Sequence, residues 1–171
     1  TILRTRDPSC LRIASPADLR GKRIAYAVAP FDQAMFEAVA EHVGIPKGHY
    51  EFVDVGFAFT AALLEGRVDA VMGAFRNYEV IEAWLQGRPV RAFELEKYGV
   101  PDFYQLVLIA SAETVRSRAP LCRRVIQAMA RAIEFTLGAP GEAMEIYFAA
   151  NPACRGALHT QAFQATFPYY A

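Results

Sequence analysis

The sequence predicts an α/β fold whose sheet has parallel members, and three observations carry the prediction. Short apolar stretches at residues 23–28, 50–55 and 69–74 read as strands. Segments with helical spacing lie between them, at residues 31–43 and 57–65. Glycine or proline stands at each junction: Pro30, Gly44, Gly56 and Gly66. The order β-α-β-α-β with short loops calls for crossover helices on a sheet with parallel strands.

Each element has a local reason. Thr1-Ile2-Leu3-Arg4 reads as a strand already under way. Residues 16–22 are polar and turn-rich, and the strand at 23–28 follows until Pro30 stops it. Asp32 can cap the next helix, whose apolar positions are Phe31, Met35, Ala38, Val39 and Val43, with Gly44 at the expected stop. Residues 50–55 alternate polar with apolar, as a strand does, and Gly56 breaks them. The helix at 57–65 ends at Gly66, and the next strand follows almost at once. A helix over about 77–85, a Gly87-Arg88-Pro89 turn and a strand near 90–93 complete this part. Residues 98–102 read as a linker and 104–110 as another strand. Ser111 can cap a short helical turn. Pro120 opens the clearest helix, with Leu121, Val125, Met129, Ile133 and Leu137 at near-heptad spacing and Gly138 at the stop. Pro140 opens another, and a last helix covers 157–165. Residues 1–100 are thus α/β and 111–171 mainly helical, which places a change of lobe near residue 100.

Composition narrows the function. At 171 residues and 54% hydrophobic content the chain can bury a core. Eighteen basic and eighteen acidic residues cancel, so nothing favours nucleic acid or an anionic membrane as partner. Arg116, Arg118, Arg123, Arg124 and Arg131 flank one helix and read as a solvated face. No apolar run has the length of a membrane-spanning helix, and no signal peptide is visible. Cys10, Cys122 and Cys154 are scattered and odd in number, so no disulfide framework, metal-ligand set or cofactor motif emerges. His42, His49 and His159 stand far apart, and no HExxH, GxSxG or GxxxxGK motif occurs. Catalysis is therefore not expected.

The most informative stretch is 68–79. A short apolar strand runs into Phe75, Arg76, Asn77, Tyr78 and Glu79. Ligands of open α/β sheets bind beyond the carboxyl ends of the strands. Rings, a carboxamide and a carboxylate there suit a flat, nitrogen-bearing small molecule. The competing reading is a helix start, with Asn77 as N-cap and Glu79 in the first turn. Phe31 and Asp32, then Gly56 and Phe57, occupy the equivalent turns of the two preceding units. Phe31 and Phe57 can instead pack under the sheet, and Asp32 can simply cap its helix.

Three segments together resemble one family: residues 15–22 (SPADLRGK), 62–73 (ALLEGRVDAVMG) and 98–101 (YGVP). The first two resemble two-lobed periplasmic solute-binding proteins. With Phe75-Arg76-Asn77-Tyr78-Glu79 and the Tyr98 segment added, the chain resembles the NMT1/THI5-like branch, which binds pyrimidine precursors of thiamin and includes bacterial transporter receptors and fungal pyrimidine-precursor synthases. The resemblance implies a two-lobed, type II periplasmic-binding-protein-like α/β fold with an incomplete first lobe. Residues 1–10 would be a crossing strand, 11–100 the α/β second lobe, and 101–171 the return into the helical part of the first lobe. It further implies a partial chain, for which self-association is an expectation.

In function, the resemblance implies a non-catalytic component of an ABC importer that is periplasmic or extracytoplasmic and meets a membrane permease. An aminopyrimidine-like ligand would lie in an interlobe cleft, with Phe31, Asp32, Phe57, Phe75, Asn77, Tyr78 and Glu79 around it; riboflavin and sulfonate-type ligands are other members of the class. Arg76 stands where the resembling motif often has an aromatic residue. The synthases of the branch carry a cysteine cluster that this chain lacks, which argues against the enzyme. A pyrimidine-biosynthetic enzyme and the effector-sensing domain of a transcription regulator are the alternatives, and fold alone does not choose among them.

Overall fold

The computed structural model describes residues 2–5, 13–104 and 106–170. The chain divides into two compact units, residues 1–102 and 103–171.

The first unit is a five-stranded sheet covered on both faces. Its strands are β1 (Ile2–Thr5), β2 (Arg23–Tyr26), β3 (Glu51–Asp54), β4 (Ala70–Met72) and β5 (Val90–Phe93), in the spatial order β3-β2-β4-β1-β5. β2 pairs in parallel with β3 and β4, as the repeated strand-helix order requires. β1 runs antiparallel between β4 and β5, with Ile2 opposite Met72 and Phe93. The helices are α1 (Phe31–His42), α2 (Phe59–Leu64) and α3 (Glu79–Leu85).

Alternation along the strands sends successive side chains to opposite faces. Ile24, Ala70 and Met72 join α1 residues Phe36, Val39 and Ala40 in one core cluster. Ala25 and Val71 join Phe59, Ala62 and Leu63 of α2 and Ala83 of α3 in the other. Burial on both faces explains why the central strands read as short apolar runs. Phe36 is the largest fully buried side chain, with its ring edge-on to Tyr50 and Phe52. Removing such a ring from water contributes about 1.5–3 kcal/mol. Of the expected apolar positions of α1, Val39 is buried and Met35, Ala38 and Val43 pack partly buried against the same cluster. The buried stripe is Asp32, Phe36, Val39 and Ala40, while Phe31 lies partly exposed. α1 stops where Gly44 takes a φ of +76° and the Ile45 N–H returns to the Ala40 carbonyl.

At the amino end of β4, Asp69 ties two strands together. Its Oδ2 accepts from the Arg23 backbone N–H at 2.9 Å and from Arg23 Nε at 3.2 Å, and its own N–H donates to the Arg23 carbonyl. Burial alone would raise this carboxyl. The Arg23 hydrogen bonds and charge outweigh it and hold the group below the ordinary aspartate value.

The second unit contains α4 (Ala112–Ser117), α5 (Ala119–Gly138), α6 (Pro140–Ala150) and α7 (Ala157–Thr166). Ser111 caps α4 by accepting from the Thr114 N–H at 3.0 Å, as its position predicts. The five arginines flanking or within α5 are exposed. So are its apolar residues Leu121, Val125, Ile126, Met129 and Leu137. The strand expected over 104–110 does not form among the described residues. Tyr104, Leu106 and Ile109 are 93%, 82% and 89% exposed, and a strand exists only where a neighbour takes up its backbone groups.

Candidate functional site

Because β2, β3 and β4 are mutually parallel, their carboxyl ends open on one rim of the sheet. Three turns leave that rim. The first joins β2 to α1, the second joins β3 to α2, and the third joins β4 to α3. All seven residues singled out in the sequence lie on these turns or at the helix starts that follow.

The first turn holds Phe31 and Asp32. Phe31 is 39% exposed. Asp32 is buried, and its Oδ2 accepts from the backbone N–H groups of Ala27 at 3.0 Å and Val28 at 2.9 Å. The Asp32 N–H donates to the Val28 carbonyl at 2.9 Å, so residue and turn bond each other in both directions. The carboxylate thus faces into the turn.

The second turn is pinned by Asp54, whose Oδ1 accepts from the Gly56 N–H at 2.9 Å. Phe57 then stands 81% exposed, with its ring edge-on to Phe59 at 6.3 Å. The alternative that Phe57 packs under the sheet is therefore corrected: α2 begins only at Phe59, and Phe59 takes the core position.

The third turn is the most highly bonded. Glu79 Oε2 accepts from the Phe75 N–H at 2.7 Å. The Phe75 carbonyl accepts in return from the N–H groups of Tyr78 and Glu79, at 3.2 and 3.1 Å. Burial raises the Glu79 carboxyl above its usual value, against the opposing pull of the Phe75 and Glu79 backbone N–H groups. Tyr78, not Asn77, is the N-cap residue of α3, and its side chain makes no capping bond. The capping expectation for Asn77 is corrected, because the Glu79 carboxylate already closes the turn. Asn77 and Tyr78 are half-buried and Phe75 is 37% exposed. Arg76, the departure noted in the sequence, forms an ion pair with Glu94, which Lys97 also contacts.

The rim therefore carries three partly or fully exposed phenylalanines from three turns, with a carboxylate of raised pKa beside one of them. Such a surface can stack on a flat apolar ring and accept hydrogen bonds from its substituents. Gly73 was not singled out in the sequence; it lies against Asp32, and its small size is the one signal that marked it. No group of histidine, cysteine, aspartate or glutamate side chains that could hold a metal ion occurs among the described residues. Cys122 and Cys154 are free thiols, and Cys10 lies outside the described residues. No helix among the described residues is long and apolar enough to cross a membrane.

Comparison with known proteins gives this geometry a context. The family profile described as NMT1/THI5 like matches residues 8–143. A protein named for thiamine biosynthesis in Haemophilus influenzae is 31% identical over 93% of this chain and 50% of its own length. The formylaminopyrimidine-binding protein of Halalkalibacterium halodurans is 30% identical over 77% of this chain and 40% of its own. A 4-amino-5-hydroxymethyl-2-methylpyrimidine phosphate synthase of Aspergillus parasiticus is 26% identical over 90% of this chain and 47% of its own. Among solved structures, the periplasmic aliphatic sulphonate binding protein of Escherichia coli superposes with a TM-score of 0.69 at 14% identity, covering 98% of this chain and 51% of that one. The chain thus spans about half the length of the relatives it matches. The fold is of the type II periplasmic-binding-protein class.

These findings correct one expectation. The sequence reading set the chain apart from enzymes because it carries no catalytic motif and no cysteine cluster. Proteins named as synthases nevertheless align over 90% of this chain. Absence of a motif from the shared half does not separate the chain from them.

Proposed function

The chain belongs to the NMT1/THI5-like family, and from that premise we propose that it recognises an aminopyrimidine related to the thiamin precursors. The rim of the first unit supplies the recognition surface. Phe31, Phe57 and Phe75 provide ring contact, Tyr78 adds an amphipathic ring, and Glu79 accepts hydrogen bonds from an exocyclic amine. Asn77 offers both a donor and an acceptor to ring nitrogens or substituents.

The observation that carries this reading is the convergence of three exposed phenylalanines and one carboxylate on the turns after three adjacent parallel strands. Each aromatic contact contributes about 0.5–1.5 kcal/mol beyond area burial. A hydrogen bond to a charged carboxylate adds about 1.5–3 kcal/mol and supplies the selectivity for an amino substituent. The binding-protein name of the Halalkalibacterium relative supports the ligand class. We place the protein, on the same support, as an extracytoplasmic solute-binding component that delivers its ligand to the permease of an ABC importer. The second reading is the synthase, which the names of relatives at 25–26% identity over 90% of the chain favour.

Calorimetric titration of the purified protein with 4-amino-5-hydroxymethyl-2-methylpyrimidine and with a formylaminopyrimidine tests the proposal. Mass spectrometry of the ligand after incubation separates the two readings: recovery unchanged is the binding protein, and conversion is the enzyme. Saturable binding is expected. Absence of heat with both pyrimidines, from protein that unfolds cooperatively, would overturn it.

A further inference from the structure

Asp32 sits at the start of α1, yet its carboxylate reaches beyond its own turn. Gly73, the residue immediately after β4, has a φ of +94°. A Cβ built there would stand 2.9 Å from Asp32 Oδ1 and 3.0 Å from both Cγ and Oδ2. The three near-equal distances mean that the face of the carboxylate fills the place of a Cβ at position 73. The carboxylate is thus bonded by the Ala27 and Val28 N–H groups and occupies the space that a side chain at position 73 would need. Two residues beyond Gly73 is Phe75, whose N–H is bonded to Glu79. The first rim turn therefore meets the chain at Gly73 through Asp32, two residues before the turn that carries Phe75 and Glu79.

We propose that Asp32 is a positioning residue that couples the first and third rim turns through Gly73, and that the spacing between Phe31 and the Phe75–Glu79 turn depends on it. The proposal rests on the pyrimidine-binding reading for its functional consequence, but not for its structural content. Asp32 stays buried and does not touch the ligand. Its effect is to keep two recognition turns in one geometry before the ligand arrives, which lowers the ordering cost of binding. The glycine is required on two counts. A side chain at 73 would displace the carboxylate, and a left-handed φ is strained for any residue with a Cβ.

The test is a double-mutant cycle with two readouts. Amide hydrogen exchange is followed in the ligand-free protein at Ala27, Val28 and Phe75. Affinity for 4-amino-5-hydroxymethyl-2-methylpyrimidine is measured in parallel. Asp32→Ala is expected to speed exchange at Ala27 and Val28, which lose their acceptor, and also at Phe75, which does not touch Asp32 by any bond. Asp32→Asn keeps a carbonyl acceptor and should fall between wild type and Asp32→Ala. Gly73→Ala should weaken pyrimidine binding by roughly tenfold in the wild-type background, and much less when Asp32 is already alanine. The strain of a non-glycine residue at φ +94° is common to both backgrounds and cancels from the cycle. Unchanged Phe75 exchange in Asp32→Ala would overturn the proposal, since Asp32 would then serve its own turn alone. Additive effects of the two substitutions on affinity would overturn it as well. If Asp32→Ala does not fold, Asp32→Ser, which also withdraws the group that fills the space beside Gly73, takes its place in the cycle. If the wild-type protein binds no pyrimidine, the function assigned above fails, and the exchange readout still decides the coupling.

Discussion

Glu79→Gln separates recognition from folding, because the two effects of the substitution have different signs. In the folded protein Glu79 Oε2 accepts from the Phe75 N–H at 2.7 Å. Glutamine keeps an oxygen in the same place, so the turn keeps its bond. What is lost is the charge assistance, about 1 kcal/mol when a charged acceptor becomes a neutral one. What is gained is relief from holding a charge in a partly buried position. The carboxyl is raised in the fold, so its contribution to stability is fully present below the ordinary value of 4.5 and is lost as pH rises through the raised folded value. At neutral pH the wild type therefore carries an ionisation cost that the glutamine variant lacks. Because burial outweighs the backbone bonds in raising the carboxyl, the balance at neutral pH favours the variant. Relative to wild type, the variant should gain stability as pH rises from acid to neutral. Binding behaves otherwise. With its oxygen kept on the Phe75 N–H, glutamine presents its NH2, a donor, where the carboxylate had a second oxygen, so a ligand amine loses the whole charge-assisted bond, about 1.5–3 kcal/mol or roughly ten- to hundredfold in affinity. Urea unfolding at acid and neutral pH gives the first quantity, and calorimetric titration with the aminopyrimidine gives the second. A variant with wild-type affinity and a clear loss of stability would refute the assignment and leave Glu79 as a turn-closing residue only.

Phe57→Ala should leave stability within about 0.5 kcal/mol of wild type, since the ring is largely in solvent; pyrimidine affinity should fall several-fold if the ring stacks on the ligand, and titration checks it. Phe36→Ala removes a fully buried ring from the centre of one core and should cost about 3–5 kcal/mol in denaturant unfolding. Asp69→Ala should cost about 1–2 kcal/mol at neutral pH, the low range for charged bonds because the Arg23 pair is partly exposed. Its folded carboxyl lies below the ordinary value, so this contribution is present above that value and disappears as pH falls through the folded one; unfolding followed into the acid range should show the variant and wild type converging.

The local code of the chain was strong enough to establish the β-α-β-α-β order, the parallel pairing of β2 with β3 and β4, and the position of the three rim turns. Period, glycine stops and proline starts act over a few residues, so they are readable without the rest of the fold. The resemblance in residues 15–22, 62–73 and 98–101 reached the family for the same reason, as these are turn and strand-entry segments with demanding backbone geometry. Tertiary contacts decided the remainder. Phe31 and Phe36 differ by five positions on one helix, and only the sheet beneath α1 determines that Phe36 is core and Phe31 is rim. Phe57 and Phe59 trade roles for the same reason, through the late start of α2. Residues 104–110 have strand composition, but a strand needs a neighbour for its backbone groups, and composition does not supply one. Asp32 was legible as a helix-start residue. Its contact with Gly73, 41 positions away, exists only because parallel pairing brings the ends of β2 and β4 together.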